Sequence, residues 1–144
     1  MFTSVNMRSA NAYRAVGVET IVAGADAHQL VALLYEALLQ ALNSAKHALQ
    51  TKDIAAKGKA IGRAVRLIEE GLKAGLNDAQ GGELALHLRS LYDYCIVRLS
   101  EANLKSDEAM VDEVMGLIQP LAQAWTQIRP EVMNSNHHAV PTGV

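Results

Sequence analysis

Apolar residues recur every three or four positions through most of this chain, and this periodicity restricts the fold more than any other feature. The first run is Leu30, Leu34, Leu38, Ala41, Ala45 and Leu49. The second alternates steps of four and three through Ile54, Gly58, Ile61, Val65, Ile68, Leu72 and Gly75. Such spacing places the apolar side chains on one face of an α-helix. No segment alternates polar and apolar residues as a half-exposed strand does, so the pattern predicts an all-α fold.

A third helix, opened by Gly81-Gly82-Glu83 and ending near Asn103, carries two apolar stripes. The predicted buried stripe is Leu84, Leu88, Leu91, Cys95, Leu99 and Ala102, and the stripe beside it is Ala85, Tyr92 and Ile96. A helix with two apolar stripes has either two buried neighbours or one neighbour and an absent partner. Tyr92 and Tyr94 point in different directions, so we expect at least one of them to lie outside the core.

Capping residues set the predicted helix boundaries. Asp26 is expected to cap helix one, which runs to about Gln50, and Asp53 is expected to cap helix two. Asn103 is expected to end helix three in a left-handed conformation, and Ser106 or Asp107 then caps helix four.

Helix four contains a proline inside its apolar pattern. The apolar positions are Val111, Val114, Ile118, Leu121, Trp125 and Ile128. Pro120 predicts a kink that either bends this helix or divides off a short extra helix. Because the connections are short, consecutive helices run antiparallel, which predicts an up-down four-helix bundle over residues 26–129. A mobile N-terminal arm, residues 1–25, is expected before it and a disordered tail, residues 130–144, after it.

The charge of the chain excludes several classes of partner. The net charge is −2, from 13 basic and 15 acidic residues, and no long basic run suggests binding to nucleic acid. The charges of helix two, Lys57, Lys59, Arg63, Arg66 and Glu70, are expected to face solvent. No apolar run reaches membrane-spanning length and no leader pattern begins the chain, so we expect a cytoplasmic protein that does not insert into membranes. One cysteine, Cys95, fits a reducing compartment.

No catalytic residue, cofactor site or metal site is predicted. Di-iron bundles use paired Glu-x-x-His motifs, which this sequence lacks, and Glu83 with His87 is a lone pair. Gly81-Gly82 follows no strand and precedes no Lys-Ser or Lys-Thr, so a phosphate loop is not indicated. His87-Leu88-Arg89-Ser90 distantly resembles a histidine phosphotransfer motif, although no glycine follows it. Phosphotransfer through His87 therefore remains an alternative function.

Several motifs, in order and at the right spacing over about residues 10–128, make the chain resemble the FliS flagellin chaperones. They are Tyr13-Arg14-Ala15-Val16, Val18-Glu19-Thr20, Leu30 to Leu34 with Tyr35-Glu36, Gly81-Gly82-Glu83, Leu91-Tyr92-Asp93-Tyr94, Arg98-Leu99, Ala102-Asn103, Glu113-Val114 and Trp125. The resemblance implies an antiparallel bundle that binds the disordered C-terminal segment of flagellin in the bacterial cytoplasm. It further implies that the chaperone prevents premature polymerisation and assists delivery to a component of the flagellar export gate, without enzymatic activity.

The candidate partner-binding residues follow from this resemblance and from the apolar surface. Tyr13, Val16 and Val18 in the arm are expected to fold onto the bundle when no client is present, as a gate. The other candidates are Gly58 and Gly62, where a client could approach closely, and Tyr92, Tyr94 and Ile96 on helix three. Self-association of the chain into a homodimer through the same stripe, as a structural module, is a further alternative.

Overall fold

The computed structural model describes residues 26–128, and the predicted arm and tail lie outside this range. Helix α1 spans Ala27–Gln50 and α2 spans Ile54–Arg66, and a π-helical segment, Leu67–Lys73, continues α2. Helix α3 spans Asp78–Lys105 and α4 spans Glu108–Gln127. No strand occurs in this range. The predicted all-α class is therefore confirmed.

The helices form a four-membered bundle in which each packs against its neighbours in the chain. Helix α1 packs on α2 and α4, and α3 packs on α2 and α4. The connections are short, so successive helices are antiparallel. Leucine, isoleucine, valine and alanine side chains from all four helices form one core, which includes Leu38, Leu42, Ile68, Leu99 and Ile118.

Aspartates begin three of the four helices, as the sequence predicts. Asp26 accepts a hydrogen bond from the backbone N–H of Gln29 at 2.8 Å, and the Gln29 side chain accepts one from the Asp26 N–H at 3.1 Å, which completes a capping box. Asp53 and Asp107 accept from backbone N–H groups at the starts of α2 and α4. Each cap satisfies a donor that has no partner within its own helix.

Two left-handed residues, Lys52 and Ser106, end α1 and α3. Their φ angles are 59° and 51°. After each, the backbone N–H of the capping aspartate donates back to a carbonyl five residues earlier, from Asp53 to Ala48 at 2.9 Å and from Asp107 to Ala102 at 3.1 Å. These are Schellman-type ends. The expectation that Asn103 is the left-handed residue is wrong, because α3 continues to Lys105.

The π-helical segment changes the buried face of the second helix. Its buried residues are Leu67, Ile68, Gly71 and Leu72. A π turn places residues five apart, rather than four, on one face, so Leu67 and Leu72 both reach the core. Gly71 lies where a Cβ atom would be 2.7 Å from Leu34 Cδ2, so α1 approaches the segment closely at this glycine.

The start of the second helix also differs from the predicted heptad. Ile54 is exposed rather than buried, and Lys57 is buried rather than solvated, with 8% of its surface accessible. Its ammonium donates to the Asn103 carbonyl at 2.9 Å and to Ser106 Oγ at 2.8 Å. Lys57 therefore ties α2 to the carbonyl end of α3, where the helix dipole favours a positive charge.

The last two helices each contain one irregular position. Pro120 lies inside α4, which runs to Gln127 as one helix, so the proline does not divide off an extra helix. Gly82 has φ 54° and ψ −128°, which interrupts α3 near its start. The regular part of α3 therefore begins after the tandem glycine, at the predicted position.

Candidate functional site

An apolar cleft opens at the end of the bundle where the π-helical segment leads into α3. Its volume is about 380 Å³. Helix α1 contributes one wall, the π-helical segment and the following loop a second, and the first turns of α3 a third. The lining residues are Val31, Leu34, Tyr35, Gly71, Leu72, Gly75, Leu76, Asn77, Gly81, Leu84, Ala85, Leu88, Tyr92 and Trp125.

None of these lining residues carries a charged side chain. Three are glycines, and at Gly71 the lack of a side chain lets Leu34 of α1 pack closely against the π-helical segment. Leu84 lies at the rim with 66% of its surface exposed, although the sequence places it in the buried stripe. The stripe that faces the core instead includes Ala85, Tyr92 and Cys95. An uncharged concave surface with an exposed leucine at its edge is suited to bind an apolar segment.

Trp125 closes the cleft on the α4 side and is fixed by His28. The two rings stack with centroids 5.0 Å apart and planes 15° apart. Trp125 Nε1 donates to the His28 carbonyl at 2.9 Å, and His28 Nε2 lies 2.9 Å from the Trp125 carbonyl. Because a carbonyl only accepts, Nε2 carries a hydrogen. This reciprocal contact joins the first turn of α1 to the last turn of α4.

Tyr35 and Tyr92 meet across the interior beside the cleft. Their hydroxyl oxygens are 2.6 Å apart, and both residues are buried. Burial raises the pKa of both phenols above the ordinary value, because a phenolate in this surrounding would lose its hydration. Both tyrosines are therefore neutral hydrogen-bonding groups at any physiological pH.

The structure separates the three predicted residues of α3. Tyr92 is 2% exposed and belongs to the core and the cleft wall, so the second stripe has a buried neighbour at this position. Tyr94 is 45% exposed on another face, which confirms the expectation that one of the two tyrosines lies outside the core. Its hydroxyl donates to the Glu113 carboxylate, which also accepts from Arg98 Nε at 2.7 Å. Ile96 is half-buried against the core and does not line the cleft.

The remaining predicted residues lie away from the cleft or outside the described residues. A Cβ atom added at Gly58 or Gly62 would meet nothing within 4 Å, so these glycines allow no close approach within residues 26–128. A close approach between helices occurs at Gly71, and room for a client at Gly58 and Gly62 stays a prediction. Tyr13, Val16 and Val18 lie outside the described residues.

A second groove, between α1 and α2, is larger but more polar. Its volume is about 670 Å³, and charged side chains such as Asp53, Lys59 and Arg63 line it with polar residues of α1. We therefore take the apolar cleft as the candidate site. Within residues 26–128 no group of three or more potential metal ligands comes together, and no helix is long and apolar enough to cross a membrane.

Comparison with known proteins gives one consistent result. The family described as "Flagellar protein FliS" matches residues 9–132. The chain belongs to the FliS family. It is 43% identical over 131 residues to the flagellar secretion chaperone FliS of Salmonella typhimurium, which covers 91% of this chain and 95% of that protein.

Two further relatives agree with the assignment to the FliS family. The flagellar secretion chaperone FliSB of Pseudomonas aeruginosa is 38% identical over 122 residues, covering 85% of this chain and 96% of that protein. The flagellar secretion chaperone FliS of Escherichia coli is 36% identical over 120 residues, covering 83% and 88%. The family resemblance predicted from the motifs is confirmed. His87 is exposed on α3, and these comparisons give phosphotransfer no support.

Proposed function

We propose that this chain is a flagellar export chaperone that binds the C-terminal segment of flagellin, keeps it from polymerising and assists its delivery to the export gate. Membership of the FliS family and the names of the relatives support this proposal. The single observation that supports a particular binding surface is the uncharged cleft beside Trp125.

The cleft suits a client that is disordered before binding. A segment that later packs inside a filament has apolar side chains that are exposed to water until assembly. Burying them in a preformed apolar cleft is favourable and opposes the entropy lost when the segment becomes ordered. This function needs affinity and no chemical turnover, so no catalytic group is required.

The arm is proposed as a gate on the same cleft. The described residues begin at Asp26, two positions before His28, which stacks on the cleft residue Trp125. The arm is therefore joined to the bundle at the first turn of α1, the turn that contacts the cleft residue Trp125. Tyr13, Val16 and Val18 would then compete with a client for apolar surface. Tyr13 is also proposed to act in delivery to the export gate.

Leu84→Asp tests the proposed docking site directly. The substitution places a charge at the rim of an uncharged cleft, so affinity for a flagellin C-terminal peptide should fall by about tenfold or more. Because Leu84 is largely exposed, the melting temperature should change little. Calorimetry measures the affinity, and wild-type binding should show a negative heat-capacity change from apolar burial.

Leu104→Asp is the matched control, because Leu104 is 85% exposed on the same helix and lies outside the cleft. It should bind the peptide as the wild type does. Equal losses in the two variants would contradict docking in the cleft. If the wild type does not bind at micromolar concentration, or binds flagellin without its C-terminal segment equally well, the chaperone proposal fails. Concentration-dependent size exclusion without peptide would then favour the self-associating module.

A further inference from the structure

The hydroxyl groups of Tyr35 and Tyr92 contain one more hydrogen than their mutual bond uses. Their oxygens are 2.6 Å apart, and a hydrogen bond between two hydroxyls needs only one donor. In the part of the chain that the structure describes, no other hydrogen bond to either oxygen is found. One hydroxyl hydrogen is therefore available for a further acceptor.

The cleft is the side on which such an acceptor can approach. Both tyrosines line it, and both belong to the hydrophobic core of the bundle. Each residue is at least nine-tenths buried. The available donor therefore lies in the wall of an uncharged cleft, whose lining is otherwise apolar except for Asn77 and the indole N–H of Trp125. The bond between the two hydroxyls also polarises the one that accepts and makes it a stronger donor.

We propose that the Tyr35–Tyr92 hydroxyl pair is a specificity-determining donor that binds one neutral carbonyl oxygen of the docked flagellin segment. This inference rests on the proposed function. The acceptor is a main-chain carbonyl or the carboxamide of an asparagine or glutamine in that segment. A carboxylate is disfavoured, because no charged side chain lines the cleft to offset its desolvation.

Such a donor selects among apolar segments rather than adding general affinity. A segment with only apolar atoms at this point would cover the hydroxyl hydrogen and leave it without an acceptor. A buried donor without a partner is unfavourable, so segments of similar hydrophobicity are distinguished by the position of one oxygen.

The double variant Tyr35→Phe/Tyr92→Phe separates this role from a structural one. Replacing both partners of a buried hydrogen bond by apolar groups of the same shape leaves stability nearly unchanged. Affinity for the flagellin C-terminal peptide should nevertheless fall about threefold to tenfold, the loss of one neutral hydrogen bond. Each single variant keeps one hydroxyl without its neighbour, so each should melt at a lower temperature than the double variant.

Ser100→Ala is the matched control, because it also removes a hydroxyl from α3. Ser100 is exposed and donates to the Ile96 carbonyl, away from the cleft. Its peptide affinity should equal that of the wild type. If the double variant also binds within twofold of the wild type, the inference is overturned while the proposed function stands. If the wild type does not bind the peptide, the proposed function itself has failed.

Substitutions in the peptide distinguish the two sources of the oxygen. If one asparagine or glutamine supplies it, replacing that residue by alanine weakens binding to the wild type but not to the double variant. If the main chain supplies it, the double variant loses affinity equally for every such peptide.

NMR of the wild type with ¹³C-labelled tyrosine Cζ carbons tests the same inference without any substitution in the protein. Peptide binding should shift the Tyr35 or Tyr92 resonance as the hydroxyl gains an acceptor. Unchanged resonances in a saturated complex would overturn the inference.

Discussion

Lys57 and Cys95 are two buried residues that stabilise the bundle in different ways. The Lys57 ammonium lies between α2 and the end of α3 and has two oxygen partners. The Cys95 thiol is buried and fills core space on α3. Loss of the Lys57 charge should therefore destabilise the bundle, and so should ionisation of the Cys95 thiol.

Lys57→Met should destabilise the fold. The change removes two charge-assisted hydrogen bonds and leaves the Asn103 carbonyl and Ser106 Oγ without this donor, which costs about 1–3 kcal/mol. Denaturant unfolding measures the difference. Lys59→Met, on the exposed side of the same helix, should stay within about 0.5 kcal/mol of the wild type. Equal losses would contradict the structural role of Lys57.

Cys95 should react with thiol reagents only when the bundle opens. Burial raises the pKa of its thiol to about 11, so at pH 8 the native group is both covered and protonated. An unfolded cysteine has a pKa of about 8.5. The stability from the neutral buried thiol is thus complete below about pH 8.5 and is lost as the pH rises towards 11. Fast alkylation of native protein at pH 8 would contradict this.

Helix α4 contains a residue, Pro120, that disfavours helical structure. Pro120 lacks the N–H that would bond to the carbonyl of Gly116, and it is exposed, so it contributes no core packing. The helix continues because the residues on both sides of the proline, including Ile118 and Ala122, pack into the core. Tertiary packing thus outweighs local preference here.

Pro120→Ala should stabilise the protein. The substitution supplies the missing N–H and a better helix former without removing core contacts, which is worth about 1–3 kcal/mol. Thermal unfolding measures the gain. Gln119→Ala, its exposed neighbour, should have little effect. A lower melting temperature for Pro120→Ala would mean that the proline conformation is needed locally.

The elements could be predicted wherever the signal is local. The caps at Asp26 and Asp53 are predictable because a cap needs only the carboxylate and the amides next to it. The register beyond Arg66 could not be found, because apolar spacing alone does not distinguish a π turn from an α turn. For the same reason, the close approach of α1 at Gly71 could not be predicted. The exposure of Leu84 is not predictable from apolar spacing. It depends on the interruption of α3 at Gly82 and on the cleft, and both of these depend on contacts between segments that are distant in the sequence.

At the scale of the whole molecule, the two ends of the bundle differ. One end contains both Schellman-type turns, Lys57 and a hydrogen bond from Gln50 to Glu108 at 2.9 Å. The other contains the cleft and the His28–Trp125 stack. The site could be predicted from the sequence only as an apolar surface on helix three. Its position needed the loop between the π-helical segment and α3, and a cluster of Gly71, Gly75 and Gly81 was the available signal.

Deletion of residues 1–24 tests the gate. If the arm covers the cleft, the truncated protein should melt as a folded bundle, bind more of an apolar dye and bind the flagellin peptide more tightly. Tyr13→Ala should give part of this effect, and Tyr13→Phe, which keeps the ring, should give little. No rise in dye binding after the deletion would remove the gate hypothesis.

The contact between His28 and Trp125 also sets where a tethered ligand would be held. Residues 26 and 128 flank this contact. If a client segment is fused after residue 128 through a short flexible linker, it begins within reach of the cleft. Its effective concentration there would be of the order of millimolar, well above what a dilute free peptide provides. A single chain built in this way would keep the cleft occupied at any protein concentration.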